Sequence, residues 1–157
     1  MNNFAIYNTK VGYLRIGYEG DLIIYIKKSP FTKDENNNGE KTDYTESVYN
    51  QLLEYFDGKR KEFDFQYELR GTTFQKKVWN ALCNIPYGET RSYKEIAIEI
   101  GNEKACRAVG MANNKNPITI VVPCHRVIGA NGKLVGYGGG LDMKEQLLKL
   151  EKDNKYI

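Results

Sequence analysis

The sequence predicts an α+β protein in which a small antiparallel sheet with one helix precedes a mainly helical region. Three short runs rich in β-forming residues occupy the chain before residue 30, whereas apolar residues recur at helical spacing after Val48. A Gly-Asp pair at 20–21 is typical of a hairpin turn and therefore favours antiparallel pairing. The pattern changes near Gly71, which predicts two domains, residues 1–70 and residues 71–157.

The N-terminal domain is expected to hold three strands and a helix. The strands are predicted at Phe4–Tyr7, Gly12–Tyr18 and Leu22–Ile26. A polar stretch from Lys33 to Lys41, which contains Asn-Asn-Asn-Gly, predicts a loop. Apolar side chains then follow helical spacing between Val48 and Phe56, and Asp57-Gly58 is expected to end that helix. The simplest assembly of these elements is an antiparallel sheet with the helix against it.

Apolar spacing defines the first and the last of four helices predicted in the C-terminal domain. Thr72 or Thr73 can cap the first helix, and Cys83 on its apolar face is expected to pack in the core. The last helix is predicted to begin at Asp142. Its inward side chains are expected to be Met143, Leu147, Leu148 and Leu150.

The two middle helices are short and close together. Ser92 and Glu95 have the form of a capping box, which opens one helix, and Gly101 stands where its C-cap is expected. The next helix is predicted from Glu103 to about Asn113. Two short helices around a Gly-Asn turn are typical of a helix-turn-helix.

The tetrapeptide Pro123-Cys124-His125-Arg126 is the strongest chemical signal in the chain. It follows Ile118–Val122, a β-branched run that predicts a strand. His125 is the only histidine, and imidazole titrates near neutral pH, so Cys124 beside it is a candidate activated thiol. Because adjacent strand residues face opposite sides, His125 can act on Cys124 only if the backbone turns at Cys124 or a water bridges the two.

Composition argues against several other kinds of site. The 3 cysteines are an odd number without paired spacing, which disfavours a disulfide scaffold, and a zinc site would need nearly all of them plus the one histidine. Residues 1–82 contain no histidine or cysteine, so we expect no metal and no cofactor.

Lys and Arg number 9 against 11 Asp and Glu in residues 1–67, but 14 against 9 in residues 68–157. The basic excess on the part that carries the thiol suits a surface that faces phosphates.

The expected location is the cytoplasm of a prokaryote. The N-terminus, Met1-Asn2-Asn3-Phe4, lacks the basic and apolar blocks of a signal peptide, and no run is long and apolar enough to span a bilayer. The chain also lacks a basic run of the kind that directs nuclear import.

Several blocks, in this order and at this spacing, resemble the O6-alkylguanine-DNA alkyltransferases, also called methylated-DNA–protein-cysteine methyltransferases. Detailed similarity covers about residues 73–151, and the N-terminal part resembles that family's small sheet domain only loosely. The blocks are Ile85-Pro86-Tyr87-Gly88-Glu89-Thr90, Ala105-Cys106-Arg107-Ala108-Val109-Gly110, Asn116-Pro117, Pro123-Cys124-His125-Arg126-Val127-Ile128 and Gly136-Tyr137-Gly138-Gly139-Gly140-Leu141.

The resemblance implies a fold and a reaction. The fold would be an RNase H-like N-terminal sheet domain, which supports the fold, and a winged-helix or helix-turn-helix-like C-terminal domain that binds DNA and accepts the alkyl group. The reaction would be irreversible, single-turnover transfer of an alkyl group from guanine O6 in DNA to Cys124, because a thioether cannot be cleaved by any group in the chain. His125 would act as a base through a water and be oriented by Glu151. Asn116 would fix the loop and the thiolate, and Tyr93 would donate a proton to the departing guanine.

The resemblance also implies how DNA is held. The helix bearing Arg107 would enter the minor groove, where Arg107 would fill the gap left by an extruded base. The other predicted DNA contacts are Ala105, Cys106, Ala108, Gly110, Thr73 and Ser92. The pocket for the base would be formed by Val127, Tyr137, Gly138 and Met111. Members of the family often have Ser where this chain has Gly138, so a hydroxyl contact is missing here.

The implied partner is double-stranded DNA that contains O6-alkylguanine, with O4-alkylthymine a further candidate. Little sequence specificity, no membrane and a monomeric state are expected. Three alternatives stay open: a non-catalytic alkyltransferase-like damage-binding protein, a cysteine hydrolase that uses Cys124, His125 and Glu151, and a winged-helix regulator. The presence of Cys124 argues against the damage-binding protein. One-to-one thioether formation would exclude the hydrolase, and DNA binding without sequence selectivity would exclude the regulator.

Overall fold

A computed structural model of the protein describes residues 3–29, 39–132, 134, 137 and 140–157. It confirms the predicted α+β class, since these residues form a three-stranded antiparallel sheet and five α-helices. The chain divides into two compact units, Met1–Leu69 and Arg70–Ile157. Most of the loop predicted from Lys33 to Lys41 lies outside the described residues.

The first unit is a meander of three strands with one helix. The strands are β1 (Asn3–Thr9), β2 (Gly12–Glu19) and β3 (Leu22–Lys28), and they pair antiparallel in the order β1-β2-β3. The helix α1 (Asp43–Phe56) begins five residues before the predicted apolar spacing, because Thr42 and Thr45 form a capping box. Tyr7 on β1 shares a buried hydrogen bond of 2.9 Å with Thr45, which fastens the start of α1 to the sheet.

The second unit holds the other four helices and a two-stranded parallel pair. The elements are α2 (Thr73–Leu82), β4 (Arg91–Ser92), α3 (Tyr93–Glu99), α4 (Cys106–Asn114), β5 (Val127–Ile128) and α5 (Leu141–Asn154). The side chains of Thr72 and Ser92 cap α2 and α3, as their sequences predict. Buried Trp79 on α2 donates to the carbonyl of Ala112 at 2.8 Å, which ties α2 to the end of α4. Among the described residues, the helices are all too short or too polar to cross a membrane.

Three predictions about the helices are wrong. Cys83 does not pack in the core but is exposed, because α2 ends at Leu82 and Cys83 is its C-cap. The helix α4 begins at Cys106 instead of Glu103, and its N-cap Ala105 offers no side-chain acceptor. On α5 the side chains of Leu148 and Leu150 are only half-buried, and the fully buried positions include Lys144 and Leu147.

The β-branched run Ile118–Val122 forms a buried turn instead of the predicted strand. The amide nitrogens of Val121 and Val122 donate back to the carbonyls of Thr119 and Ile118, at 2.8 and 3.0 Å. Ile120 adopts a φ of 74°, a left-handed conformation that is strained for a β-branched residue. Ile118, Ile120 and Val122 are at most 1% exposed, and burial alone does not make a strand.

Candidate active site

Cys124 opens a short 3-10 helix, Cys124–Arg126, directly after the buried turn. The backbone therefore turns at Cys124, which is one of the two arrangements that the sequence allowed for His125 to act on it. The amide nitrogen of Arg126 donates to the carbonyl of Pro123 at 3.0 Å and closes this turn. Cys124 is 2% exposed and His125 is fully buried, so the thiol and the imidazole share a water-poor interior.

Asn116 shapes the loop that delivers the thiol. Its Oδ1 accepts a hydrogen bond from the amide of Ile118 at 3.0 Å, and its Nδ2 donates to the carbonyl of Val122 at 2.7 Å. One buried side chain thus satisfies both ends of the turn, which explains why the following residues leave the extended conformation. The same side chain reaches the thiol, where its hydrogen bond lowers the pKa of Cys124.

His125, Glu151 and Arg126 form a buried ionic cluster. Nε2 of His125 lies 2.6 Å from Oε2 of Glu151. Arg126 binds the same carboxylate from Nε at 2.7 Å and from Nη2 at 3.0 Å, while its Nη1 donates to the carbonyl of Ile85 at 2.7 Å. The amide of Gly88 donates to Oε1 of Glu151 at 3.2 Å. The carboxylate is therefore fixed from three sides, as a buried charge requires.

The cluster sets the charge and the tautomer of His125. Burial alone would raise the pKa of Glu151, but His125 and Arg126 hold that pKa below its usual range. Burial lowers the pKa of His125, so the imidazole is neutral near pH 7. The ionised carboxylate of Glu151 can only accept hydrogen bonds, so Nε2 of His125 must carry the imidazole proton. Nδ1 is then the unprotonated, basic nitrogen of the ring. Nδ1 has no hydrogen-bond partner among the described residues.

The resting thiol is protonated. Burial raises the pKa of Cys124 to about 11, and hydrogen bonding from Asn116 and the charge of Lys144 offset only part of this effect. A thiol with such a pKa is a poor nucleophile near neutral pH. The site therefore needs a base beside Cys124, and the basic nitrogen of His125 is the group with the right pKa range.

Lys144 belongs to the site, although the sequence analysis gave it no role. It is fully buried on α5, and its Nζ donates to the carbonyl of Val127 at 2.5 Å. Burial lowers the pKa of Lys144 to about 8, and the nearby Cys124 opposes this shift. Helical spacing could have found it, because Lys144 lies two turns before Glu151 and so shares its face of α5.

Asn113 was also missed. It is 1% exposed near the end of α4, and its Nδ2 donates to the carbonyl of Cys124 at 3.3 Å. Its spacing of four residues from buried Val109 places both on the inner face of the helix, which is the signal that the sequence offered.

Two tyrosines approach the thiol. Tyr93, the first residue of α3, is half-buried, and burial together with the proximity of Cys124 raises its pKa. Gly110 on α4 faces this ring, since a Cβ at Gly110 would lie 3.8 Å from Tyr93. Burial, and secondarily the proximity of Cys124, raise the pKa of Tyr137 well above its ordinary value. Both hydroxyls thus remain protonated donors, whereas the predicted contact at Gly138 lies outside the described residues.

The predicted DNA contacts are spread over the starts of three helices. Arg107 and Ala108 are exposed on α4, and Ala105, Cys106 and Gly110 are half-buried. Met111, which was predicted for the base pocket, is 65% exposed on the same helix. Arg107 and Met111 are one turn apart and lie on the same face of the helix. Thr73 is exposed at the start of α2, and the hydroxyl of Ser92 accepts from the amide of Glu95 as the cap of α3. Val127 is fully buried, with its carbonyl bound by Lys144.

Cysteine and acidic residues do not assemble into a metal site in the described part of the chain. No group of three or more His, Cys, Asp or Glu side chains there could hold an ion. None of the three cysteines forms a disulfide, and of the three only Cys124 is buried.

Comparison with known proteins matches this site to one family. Residues 73–153 match the model for the DNA-binding domain of 6-O-methylguanine DNA methyltransferase. A methylated-DNA–protein-cysteine methyltransferase of Methanosarcina mazei is 59% identical over 132 residues, which cover 84% of each chain. The crystal structure of Mycobacterium tuberculosis O6-methylguanine methyltransferase superposes with a TM-score of 0.88 at 46% identity, covering 98% of this chain and 94% of that one. A second M. tuberculosis structure, in complex with DNA, superposes with a TM-score of 0.87 at 47% identity over 96% and 93% of the two chains.

Proposed function

This chain belongs to the 6-O-methylguanine DNA methyltransferase family, and on that premise we propose that it repairs DNA by moving an alkyl group from guanine O6 to its own Cys124. It is a methylated-DNA–protein-cysteine methyltransferase, the name that its curated relatives carry. The observation that carries the assignment of Cys124 is its burial at 2% exposure beside a neutral imidazole that an ionised carboxylate holds.

The transfer begins with proton removal. Nδ1 of His125 takes the thiol proton through a bridging water, and Glu151 stabilises the imidazolium that results. The thiolate attacks the alkyl carbon, the new S–C bond forms and the C–O bond to guanine breaks. Tyr93 donates its proton to the guanine ring, so the base leaves as neutral guanine. Asn116 and Lys144 support the transient thiolate, because both favour the charged form of Cys124.

The product is a thioether, which nothing in the site can hydrolyse, so each molecule acts once. The experiment that tests this counts methyl groups transferred per protein molecule from duplex DNA that contains excess O6-methylguanine. We expect a plateau at one methyl per molecule. A hydrolase built on Cys124, His125 and Glu151 would instead turn over and show no plateau, and an alkyltransferase-like binder would transfer none.

Access to O6 requires the nucleotide to rotate out of the duplex, and α4 is suited to promote this. The small residues Ala105, Cys106, Ala108 and Gly110 permit close approach to the minor groove. Exposed Arg107 fills the space that the extruded base leaves in the base stack. The helix starts at Thr73 and Ser92 add contacts to the DNA backbone. The residues assigned to the pocket for the extruded base are Val127, Tyr137 and Met111, together with Gly138, which lies outside the described residues.

Replacing Arg107 with alanine should slow transfer from duplex DNA by about tenfold or more, because extrusion costs a few kcal/mol and Arg107 offsets part of it. Transfer from free O6-methylguanine base needs no extrusion and should be unchanged. Single-turnover rates with both substrates check this, with Lys104→Ala as a control for loss of one positive charge. An equal loss on both substrates would show that Arg107 acts on folding or chemistry instead.

Alkylation should lower the stability of the protein. Because Cys124 is 2% exposed, an added methyl group overpacks the site and should reduce the free energy of unfolding by about 1–3 kcal/mol. Thermal denaturation of the free and the methylated protein measures this, and Cys124→Ala treated with the same DNA is the control. Equal melting temperatures for the two forms would refute the expectation.

The partner is double-stranded DNA with O6-alkylguanine, and O4-alkylthymine is a further candidate substrate. The C-terminal domain, residues 71–157, carries DNA binding and alkyl acceptance, and the N-terminal domain, residues 1–70, supports the fold. Binding rests mainly on phosphate contacts, so it has little sequence selectivity and weakens with salt. The protein acts as a monomer in the cytoplasm, where the DNA of a prokaryote lies.

A further inference from the structure

A cavity of about 560 Å³ lies in the second unit, away from the thiol. It is lined by the C-terminal half of α5, by Ile128 of β5 and by the loop that precedes β4. Cys124, Tyr93 and Tyr137 do not line it, so it is not the space that receives the alkylated base. Its volume falls within the range of about 300–1,000 Å³ that is typical of small-molecule sites.

Three aliphatic side chains give the cavity an apolar wall. Ile128, Leu134 and Leu148 all line it, and each is half-buried. This is the reason why Leu148 does not pack in the core as the sequence predicts: it faces the cavity instead. Clustered apolar surface that water can reach is unfavourable, and a ligand that covers it is stabilised by the area removed from water.

Two lysines stand beside this apolar wall. Lys152 and Lys155 line the same cavity, one and two helical turns after Leu148, so the three side chains share one stripe of the helix. The stem of Lys155 lies against Gly88, where a Cβ atom would come within 2.8 Å of Cγ of the lysine. The absence of a side chain at Gly88 therefore leaves room for this lysine at the cavity.

The carboxylate in the cavity wall does not cancel the charge of the lysines. Glu151 lines the cavity, but it is 1% exposed and its oxygens already bind His125 and Arg126. Among the described lining residues, Lys152 and Lys155 therefore set the charge that a ligand meets. A helix dipole alone favours lysines near a C-terminus, so the apolar wall beside them is the observation that indicates a ligand.

We propose that this cavity binds a small organic anion. Its apolar ring packs on Ile128, Leu134 and Leu148, and its acidic group pairs with Lys152 and Lys155. A purely apolar ligand would use only the first surface, and an inorganic anion only the second, so a ligand that has both properties matches the cavity best. The inference goes beyond the proposed function and does not depend on transfer to Cys124.

The test uses two fluorescent probes that differ in one group. Anilinonaphthalene sulfonate is an aromatic anion, and phenylnaphthylamine has the same rings without the sulfonate. The full wild-type chain should bind the anionic probe saturably, with one probe per protein molecule. In the double variant Lys152→Gln, Lys155→Gln the dissociation constant of the anionic probe should rise about fivefold, while that of the uncharged probe should stay the same. A variant that only loosened the fold would change both constants.

The apolar wall is tested by Leu148→Gln, which should weaken the binding of both probes by about fivefold. Lys149→Gln and Leu150→Gln are matched controls, because they change the same residue types on α5 outside the cavity. Both controls should bind the two probes as the wild-type protein does.

Unchanged binding of the anionic probe in the double lysine variant or in Leu148→Gln would overturn the proposal, as would equal losses in the controls. Displacement of the probe by undamaged duplex DNA would also overturn it, because the lysines would then bind the DNA backbone. None of these results depends on methyl transfer, so failure of this inference leaves the proposed function intact.

Discussion

Replacing Cys124 with alanine is expected to reduce methyl transfer by about a thousandfold or more, to the limit of detection. The sulfur is the atom that forms the new bond, and no neighbouring group can take its place: the imidazole of His125 is engaged with Glu151 and the tyrosines are protonated. The substitution removes one buried atom, so the fold should persist. Binding to duplex DNA should also persist, because α4 and its exposed Arg107 are untouched.

The measurement follows transfer of a labelled methyl group from duplex DNA to protein, together with DNA binding by anisotropy. Cys83→Ala is the matched control, since it removes an exposed thiol at the end of α2 and should transfer at the wild-type rate. Methyl transfer that survives in Cys124→Ala would remove Cys124 from the mechanism. Loss of transfer in both variants would point to a general effect on the protein.

Replacing Glu151 with glutamine is expected to have the second largest effect, because it acts on stability and on chemistry together. Glu151 is 1% exposed and neutralises Arg126 through two hydrogen bonds, so a neutral side chain would leave a buried guanidinium without its counter-charge. Breaking such a pair costs about 3–5 kcal/mol. The imidazole would also lose the acceptor that fixes its tautomer, so transfer should fall by about a hundredfold or more.

Chemical denaturation and single-turnover transfer measure the two effects separately. Glu145→Gln is the control, since it makes the same change at an exposed position of the same helix. His125→Gln retains the Arg126–Glu151 pair, so it should slow transfer with a smaller loss of stability. A folded Glu151→Gln protein that transfers at the wild-type rate would contradict the role of the carboxylate.

The same carboxylate makes stability depend on pH. The pKa of Glu151 in the folded protein lies below its value in the unfolded chain, which is about 4.3. The folded state therefore binds fewer protons, and the stabilisation from Glu151 is fully present above pH ~4.3. It is lost progressively as the pH falls below that value toward the folded pKa. Glu151→Gln should flatten this part of the curve.

The parts of the fold that depend on neighbouring residues could be predicted from the sequence. Thr72 and Ser92 cap their helices through side-chain contacts three residues away, and such contacts can be read directly from spacing. The three strands follow from β-forming runs and a tight turn. The existence of α4 was also predictable, although its start was not, because no side chain caps it.

The parts that depend on distant packing could not be predicted. The run Ile118–Val122 has the composition of a strand, yet the side chain of Asn116 binds both of its ends and turns it. Lys144 shares a face of α5 with Glu151, but lysine is usually exposed, and only the carbonyl of Val127 and the nearby thiol explain its burial. Asn113 shares a helix face with Val109, but its contact with the carbonyl of Cys124 cannot be read from that spacing. The central pair of Cys124 and His125 was visible from the sequence, but the charges around it come from α5 and from the Arg126–Glu151 contact.

The most direct measurement is the mass of the peptide that contains Cys124 after the protein has met duplex DNA with O6-methylguanine. This peptide, and no other, is expected to gain one methyl group, in an amount equal to the guanine restored. A properly folded protein whose Cys124 peptide keeps its original mass while the lesion is present in excess would contradict transfer to Cys124, and more lesions repaired than protein molecules supplied would contradict single turnover.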